Sequence, residues 1–331
     1  MSQGIKILKN RSDIGAGTRG ADMGIDAIEI AAINQNNNYF NSYPFEDIET
    51  ENESIYNKVN NSFAKRIGSV YNVCSRLSDR VSDSIGKGMY PIVLSGDHSS
   101  ALGTMSGVKT AFQDRTMGVV WIDAHADLHS PYTSPSGNVH GMPLAAALSI
   151  DNKAFQINEV PEETVFFWNK LKRLGIDEQK LDFSNLVYFG VRDTEKPEDG
   201  CIEENKIKNY TVDALRYRGI EICINEAINQ LKNCDVIYVS FDVDSLDCDR
   251  ISRGTGTPVP RGFDIDEVVS IINSFVRTGK TACFEVVVLL KMTCGVPDCD
   301  FASRTFCMAS RIMDRAFAFS FYPQTLSSHH P

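Results

Sequence analysis

Gly118-Val-Val-Trp-Ile-Asp-Ala-His-Ala-Asp127 runs from an apolar stretch straight into two aspartates and a histidine. Five apolar residues bounded by polar ones read as a buried strand, and the charged cluster then sits just past its carboxyl end. The same arrangement recurs twice. Tyr90–Leu94 leads into Gly96-Asp-His98, and Val236–Phe241 leads into Asp242-Val-Asp244. Between these strands lie stretches of helical character, which predicts an α/β fold with a mostly parallel sheet flanked by helices. Open sheets of this kind bind ligands outside the carboxyl ends of their strands, so the three charged blocks are expected to meet in one crevice.

Working outward, Ile5–Leu8 reads as a first strand and Met23–Ile33 as an apolar, helical stretch, followed by an Asn-rich loop at 34–38. Val59, Phe63, Ile67, Val70, Val73, Leu77 and Val81 recur at helical spacing, predicting a helix over 58–85. Further helices are expected over 99–112, 142–149, 226–232, 266–278 and 300–320, with an amphipathic stretch over 151–181. Leu186–Val191 and Ala282–Leu290 complete the strands. With no repeat and no evident linker, 1–331 is expected to form a single domain.

Composition narrows the function classes. The net charge of −10, with no basic stripe, argues against a nucleic-acid surface and suits a cationic substrate. No apolar run approaches the roughly 20 residues that cross a bilayer. Nine scattered cysteines and a polar start, Met-Ser-Gln-Gly-Ile-Lys, suggest a reduced, cytoplasmic setting.

The three blocks offer His98, His125, Asp123, Asp127, Asp242 and Asp244 as metal ligands. Spacing of two on an extended backbone would aim each block's ligands at one side. Four aspartates balance the charge of two divalent cations, which favours a binuclear centre, and such centres commonly perform hydrolysis. Mixed imidazole and carboxylate donors suit Mn²⁺, with Fe²⁺, Co²⁺ and Zn²⁺ as competitors, and the absence of Cys argues against a structural zinc site. A lone Asp-x-Asp is ordinarily a turn. Here, however, four of the six histidines (His98, His125, His129, His140) lie in or just beyond the blocks.

Ser95-Gly-Asp-His-Ser99, Trp121-Ile-Asp-Ala-His-Ala-Asp127 and Ser240-Phe-Asp-Val-Asp-Ser-Leu-Asp247 together resemble the signatures of the arginase (ureohydrolase) family. The resemblance implies a central parallel sheet of eight strands, assembly as a homo-oligomer (trimer or hexamer), two Mn²⁺ per subunit and hydrolysis of a guanidino group to urea. It makes the six residues above the metal ligands, with Asp127 also holding the attacking hydroxide. Ser134-Pro-Ser-Gly-Asn-Val-His-Gly-Met-Pro143 resembles the arginase loop that binds the substrate α-carboxylate, through Ser136 and Asn138 here, and His140 matches the proton-shuttling histidine. By the same resemblance Thr257 lies near the guanidinium, Glu285 pairs with it, and Glu195 and Glu198 stand on the α-amino side.

Some positions depart from the family pattern. His129 replaces an asparagine that contacts the carboxylate; Ser245, Cys248 and Asp249 replace the usual Gly and Pro; Val287-Val288 replace Asn-Pro after the glutamate. Cys294 and Cys299 form a Cys-x₄-Cys pair with no partner ligands nearby in sequence. The expected activity is therefore conversion of arginine to ornithine and urea. The alternatives are another ureohydrolase acting on agmatine, guanidinobutyrate or formiminoglutamate, and a catalytically silent member.

Overall fold

Every residue of the strand Met117–Ile122 is buried, as both faces of a central parallel strand must be. The computed structural model describes residues 4–288 except Thr18, Asn60, Asn61 and Arg253. Its strands are β1 (Gly4–Asn10), β2 (Phe45–Asp47), β3 (Met89–Ser95), β4 (Met117–Ile122), β5 (Leu186–Phe189), β6 (Lys208–Tyr210), β7 (Val236–Asp242) and β8 (Thr281–Val287). They form one eight-stranded sheet in the order β2-β1-β3-β8-β7-β4-β5-β6, and every pairing is parallel. The strands that carry the three charged blocks, β3, β7 and β4, thus lie at the centre, with β8 between β3 and β7.

The helices are α1 (Gly24–Asn34), α2 (Tyr39–Ser42), α3 (Ile67–Gly86), α4 (Ala101–Ala111), α5 (Pro143–Ala147), α6 (Glu162–Lys172), α7 (Lys196–Asn205), α8 (Val212–Arg218), α9 (Ile220–Gln230) and α10 (Ile265–Arg277). They cover both faces. Val119 and Trp121 of β4 pack with α3, α4, α5 and α6, whereas Val120 and Ile122 pack with α1, α8, α9 and α10. The alternation follows from the two-residue period of a strand. In α10, a capping box of Asp264 and Glu267 starts the helix, and Val268, Val269, Ile271, Ile272 and Phe275 bury one face of it. Truncating Phe275 to Ala would cost about 3–5 kcal/mol through the cavity it leaves.

Several boundaries differ from the sequence expectation. The helix expected over 58–85 begins at Ile67, because Arg66 ahead of it adopts a left-handed conformation at φ 56°. Val59 and Phe63 fall outside it. The amphipathic stretch 151–181 contributes only α6, which starts just after Pro161. The helix expected over 226–232 is the end of α9, which begins six residues earlier. Unanticipated are β2 and β6, three-residue edge strands with sequences Phe-Glu-Asp and Lys-Asn-Tyr, too short and polar to show periodicity. Also unanticipated are α7 and α8. The segment 300–320 and the Cys294/Cys299 pair lie outside the described residues. Among the described residues no helix is long and apolar enough to cross a membrane.

Candidate metal centre

At the carboxyl ends of β3, β4 and β7 the chain makes the same local turn three times. Asp97 accepts a hydrogen bond from Ser99 N at 2.9 Å, Asp123 from His125 N at 2.8 Å, and Asp242 from Asp244 N at 2.9 Å. In each case a carboxylate takes the amide two residues on, as Asx turns do. This corrects the expectation of an extended backbone: β4 stops at Ile122, and a short 3-10 turn covers Val243–Ser245. The ligands converge because the turns repeat. Asp127 is held with φ +52°, a conformation costly for a residue with a Cβ and common at functional sites.

The six predicted ligands come together. His98 Nδ1 lies 2.9 Å from Asp123 Oδ2, 3.1 Å from Asp127 Oδ2 and 3.3 Å from Asp242 Oδ2. His125 Nδ1 lies 3.1 Å from Asp244 Oδ2 and 3.5 Å from Asp123 Oδ1. Two groups able to hold a metal ion result, His98–Asp123–Asp127 and Asp123–His125–Asp244, and Asp123 belongs to both. Asp123 Oδ2 and Asp127 Oδ2 are buried and accept no hydrogen bond, despite their closeness to His98. Orphaned carboxylate oxygens facing an imidazole nitrogen are what a shared cation would satisfy. The donor set, nitrogen and oxygen without sulfur, fits a pair of divalent transition-metal ions.

His98 is oriented from behind. Its Nε2 lies 2.8 Å from Ser240 Oγ on β7, and its ring stacks on Trp121 with centroids 4.1 Å apart and planes 8° from parallel. Nδ1 is therefore left facing the carboxylates, the outer-shell role expected around a metal-ligating histidine.

Burial and mutual repulsion dominate the electrostatics. Burial, followed by the Asp123 charge, raises Asp127 to about 7. Burial and then Asp244 push Asp242 well up, and burial and then Asp123 raise Asp244. Burial also opposes ionisation of Asp123, but the neighbouring His125 and His98 outweigh it and leave that carboxyl well below the ordinary range. Such crowding of carboxylates is unfavourable without bound positive charge.

A cavity of about 170 Å³ opens over this centre. It is lined by all six ligand positions and by His129, Ser136, Asn138, His140, Glu195, Glu198 and Thr257. His129 is not drawn into either metal group. Its Nδ1 lies 3.1 Å from Thr133 Oγ1, and its Nε2 is 3.6 Å from both Glu195 Oε2 and Glu198 Oε2. Those two glutamates form the capping box of α7, and buried Glu198 also accepts from Leu128 N at 3.1 Å; burial raises it to about 7. Thr257 donates to Asp244 Oδ2 at 2.9 Å. Burial, then the charges of His125 and His98, lowers His140 to about 4.

Glu285 is the exception. It is fully buried in the sheet, where Ser95 Oγ donates to its Oε1 and Tyr238 OH to its Oε2, both at 2.6 Å. It is not among the residues that line the cavity, so the structure does not bring it together with the other predicted substrate residues. The carboxyl end of β8, level with Asp242, carries Val287 instead. Sequence reasoning also passed over Ser134, Gly141, Asp193 and Thr194, which line the cavity, with Asp193 Oδ2 3.7 Å from His125 Nε2. Proximity to Glu195 in Arg192-Asp-Thr-Glu195 was the available signal. Arg192 itself faces away, donating to the carbonyls of Gly190, Asp244, Ser245, Leu246, Val259 and Pro260 at 2.9–3.5 Å.

Comparison with known proteins agrees with this geometry. The chain is 34% identical over 270 residues to the arginase of Bacillus subtilis, covering 81% of this chain and 83% of that one. The native structure of Bacillus caldovelox arginase superposes with a TM-score of 0.79 at 29% identity, covering 95% of this chain and 98% of that one. A formimidoylglutamase from Bacillus subtilis shares the fold at a TM-score of 0.71 and 17% identity, covering 97% of this chain and 88% of that one. The sequence profile of the arginase family matches residues 4–318. The chain belongs to the arginase family of ureohydrolases.

Proposed function

We propose that the protein hydrolyses the guanidino group of L-arginine to L-ornithine and urea, using two Mn²⁺ ions per chain. The observation that carries the reading is Asp123, one carboxylate shared by two His/Asp groups at the floor of a cavity. His98, Asp123, Asp127 and Asp242 would hold one ion, and His125, Asp123, Asp244 and Asp242 the other. When bound, such a pair supplies a water-derived nucleophile at neutral pH and stabilises developing charge. Asp127 Oδ2, 3.1 Å from His98 Nδ1 and on the cavity wall, is placed to hold a proton on its way to the departing amine. His140 stands on the cavity wall and is neutral at pH 7. Asp193 and Glu195 favour a cationic substrate, while Ser136 and Asn138 offer neutral donors to a carboxylate without repelling the guanidinium. Arginase relatives at about one-third identity support arginine as substrate.

The sequestered Glu285 favours a second reading, a metal-binding member without hydrolytic activity. One experiment separates the two. The Mn²⁺-loaded protein is assayed for urea release from arginine, agmatine and guanidinobutyrate side by side. Release from arginine is expected; activity on agmatine alone would remove the carboxylate role of Ser136 and Asn138. No urea from any of them, with two ions bound, would establish the silent reading.

A further inference from the structure

The amide of Asn138 is clamped on both of its atoms. Lys65 Nζ donates to Asn138 Oδ1 at 3.1 Å, and because an ammonium only donates, the atom facing it must be the oxygen. On the other side, a Cβ at Gly17 would stand 2.5 Å from Asn138 Nδ2, so the lack of a side chain there makes room for the amide nitrogen. The segment carrying Lys65 is itself docked on the loop. Lys65 N donates to Gly137 O at 2.8 Å, and Gly137, at φ +68°, sits so close to the Ser62 carbonyl that a Cβ would overlap it. Half-buried Lys65 has no ion-pair partner among the described residues.

The cavity lining holds two kinds of residue: the acids Asp193, Glu195, Glu198 and the metal-site aspartates, and the uncharged Ser134, Ser136, Asn138, His140 and Gly141. Ser136 Oγ accepts from Asn138 N at 3.2 Å and lies 3.5 Å from Ser134 Oγ. Lys65 therefore sets a positive charge with no ion-pair partner among the described residues directly against Asn138, one of the uncharged lining residues.

Resting on the arginine reading above, we propose that Lys65 is a specificity-determining residue that selects substrates bearing a carboxylate. It holds the Asn138 amide through Oδ1, which leaves Nδ2 as a donor with no hydrogen-bond partner among the described residues, and its charge draws the carboxylate toward Asn138 and Ser136 without contacting the guanidinium. A charge-assisted hydrogen bond of this kind carries roughly tenfold discrimination or more.

The test compares wild type, Lys65→Met and Lys65→Arg as Mn²⁺-loaded full-length proteins, each checked for an unchanged unfolding temperature. In Lys65→Met, KM for arginine is expected to rise about tenfold with kcat within about twofold, while KM for agmatine, which lacks the carboxylate, stays put. Lys65→Arg keeps the charge and restores most of the arginine KM. Calorimetry reads the same selection without turnover: ornithine binding weakens in Lys65→Met, and binding of 1,4-diaminobutane does not. Equal losses on arginine and agmatine, or no loss on either, overturn the role of Lys65. A wild type that neither hydrolyses arginine nor binds ornithine overturns the arginine reading, and the role of Lys65 with it. A wild type that binds ornithine without hydrolysing arginine leaves the calorimetric comparison to decide.

Discussion

The hydroxyl of Tyr238 on β7 donates to Glu285 on β8 at 2.6 Å, inside the sheet. With Ser95 on the other oxygen, this carboxylate is a structural link between three adjacent strands. Tyr238→Phe should therefore lower stability by about 1–3 kcal/mol, the cost of leaving a buried acceptor unpaired. The KM for substrate should not change. Denaturant unfolding and steady-state kinetics check both parts; a large rise in KM for arginine with intact stability would return Glu285 to the substrate.

Asp123 belongs to both metal groups, so removing it should damage both sites. Asp123→Ala is expected to retain less than one Mn²⁺ per chain after dialysis, where wild type retains two. Asp127→Asn should keep its fold but lose urea release. Chelation of wild type should lower its unfolding temperature, because an ion at a hundred times its Kd contributes about 2.7 kcal/mol. Metal analysis and thermal melts read these outcomes.

Ser240 holds His98 Nε2 at 2.8 Å, and Trp121 stacks on the ring. Ser240→Ala removes the hydrogen bond and leaves the stacking, so it should weaken metal binding about 10–100-fold with little change in fold. Calorimetric titration with Mn²⁺ measures it. An unchanged affinity would mean that stacking alone orients the imidazole.

Lys180 is 3% exposed, and its ammonium donates to Lys172 O at the end of α6. Burial lowers its pKa from 10.5 to about 7. Between those values the unfolded chain binds the proton and the folded chain does not, so this group makes stability rise from pH 7 toward 10.5. Below pH 7 both states are protonated and the contribution is flat. Lys180→Met should raise stability at pH 7 and flatten the rise above it. Urea midpoints at pH 7 and pH 9.5 provide the comparison.

The central strands were legible because parallel strands buried on both faces leave unbroken apolar runs, as in Gly118–Ile122 and Val236–Phe241. The residues that converge at the candidate metal centre were legible as a group because each run leads into its charged block. What escaped was local or tertiary in origin. Edge strands β2 and β6 carry no apolar run, and α7 announces itself only through a capping box that resembled a substrate site. The surroundings of Glu285 were not legible for another reason: its partners Ser95 and Tyr238 come from strands far away in sequence. Lys65 lies 73 residues from Asn138, a separation no short motif spans.

Arg192 bonds to six carbonyls from three separate stretches of chain, including Asp244 and Ser245 beside the metal centre. Its next neighbour is Asp193, and α7 with Glu195 and Glu198 follows directly. The floor of the cavity and the wall that carries Glu195 and Glu198 are thereby made one rigid body. The distance between them becomes a ruler. A guanidino compound one methylene shorter or longer than the cavity was built for would have to leave one of its ends unmet, so chain length, as much as charge, decides what is accepted.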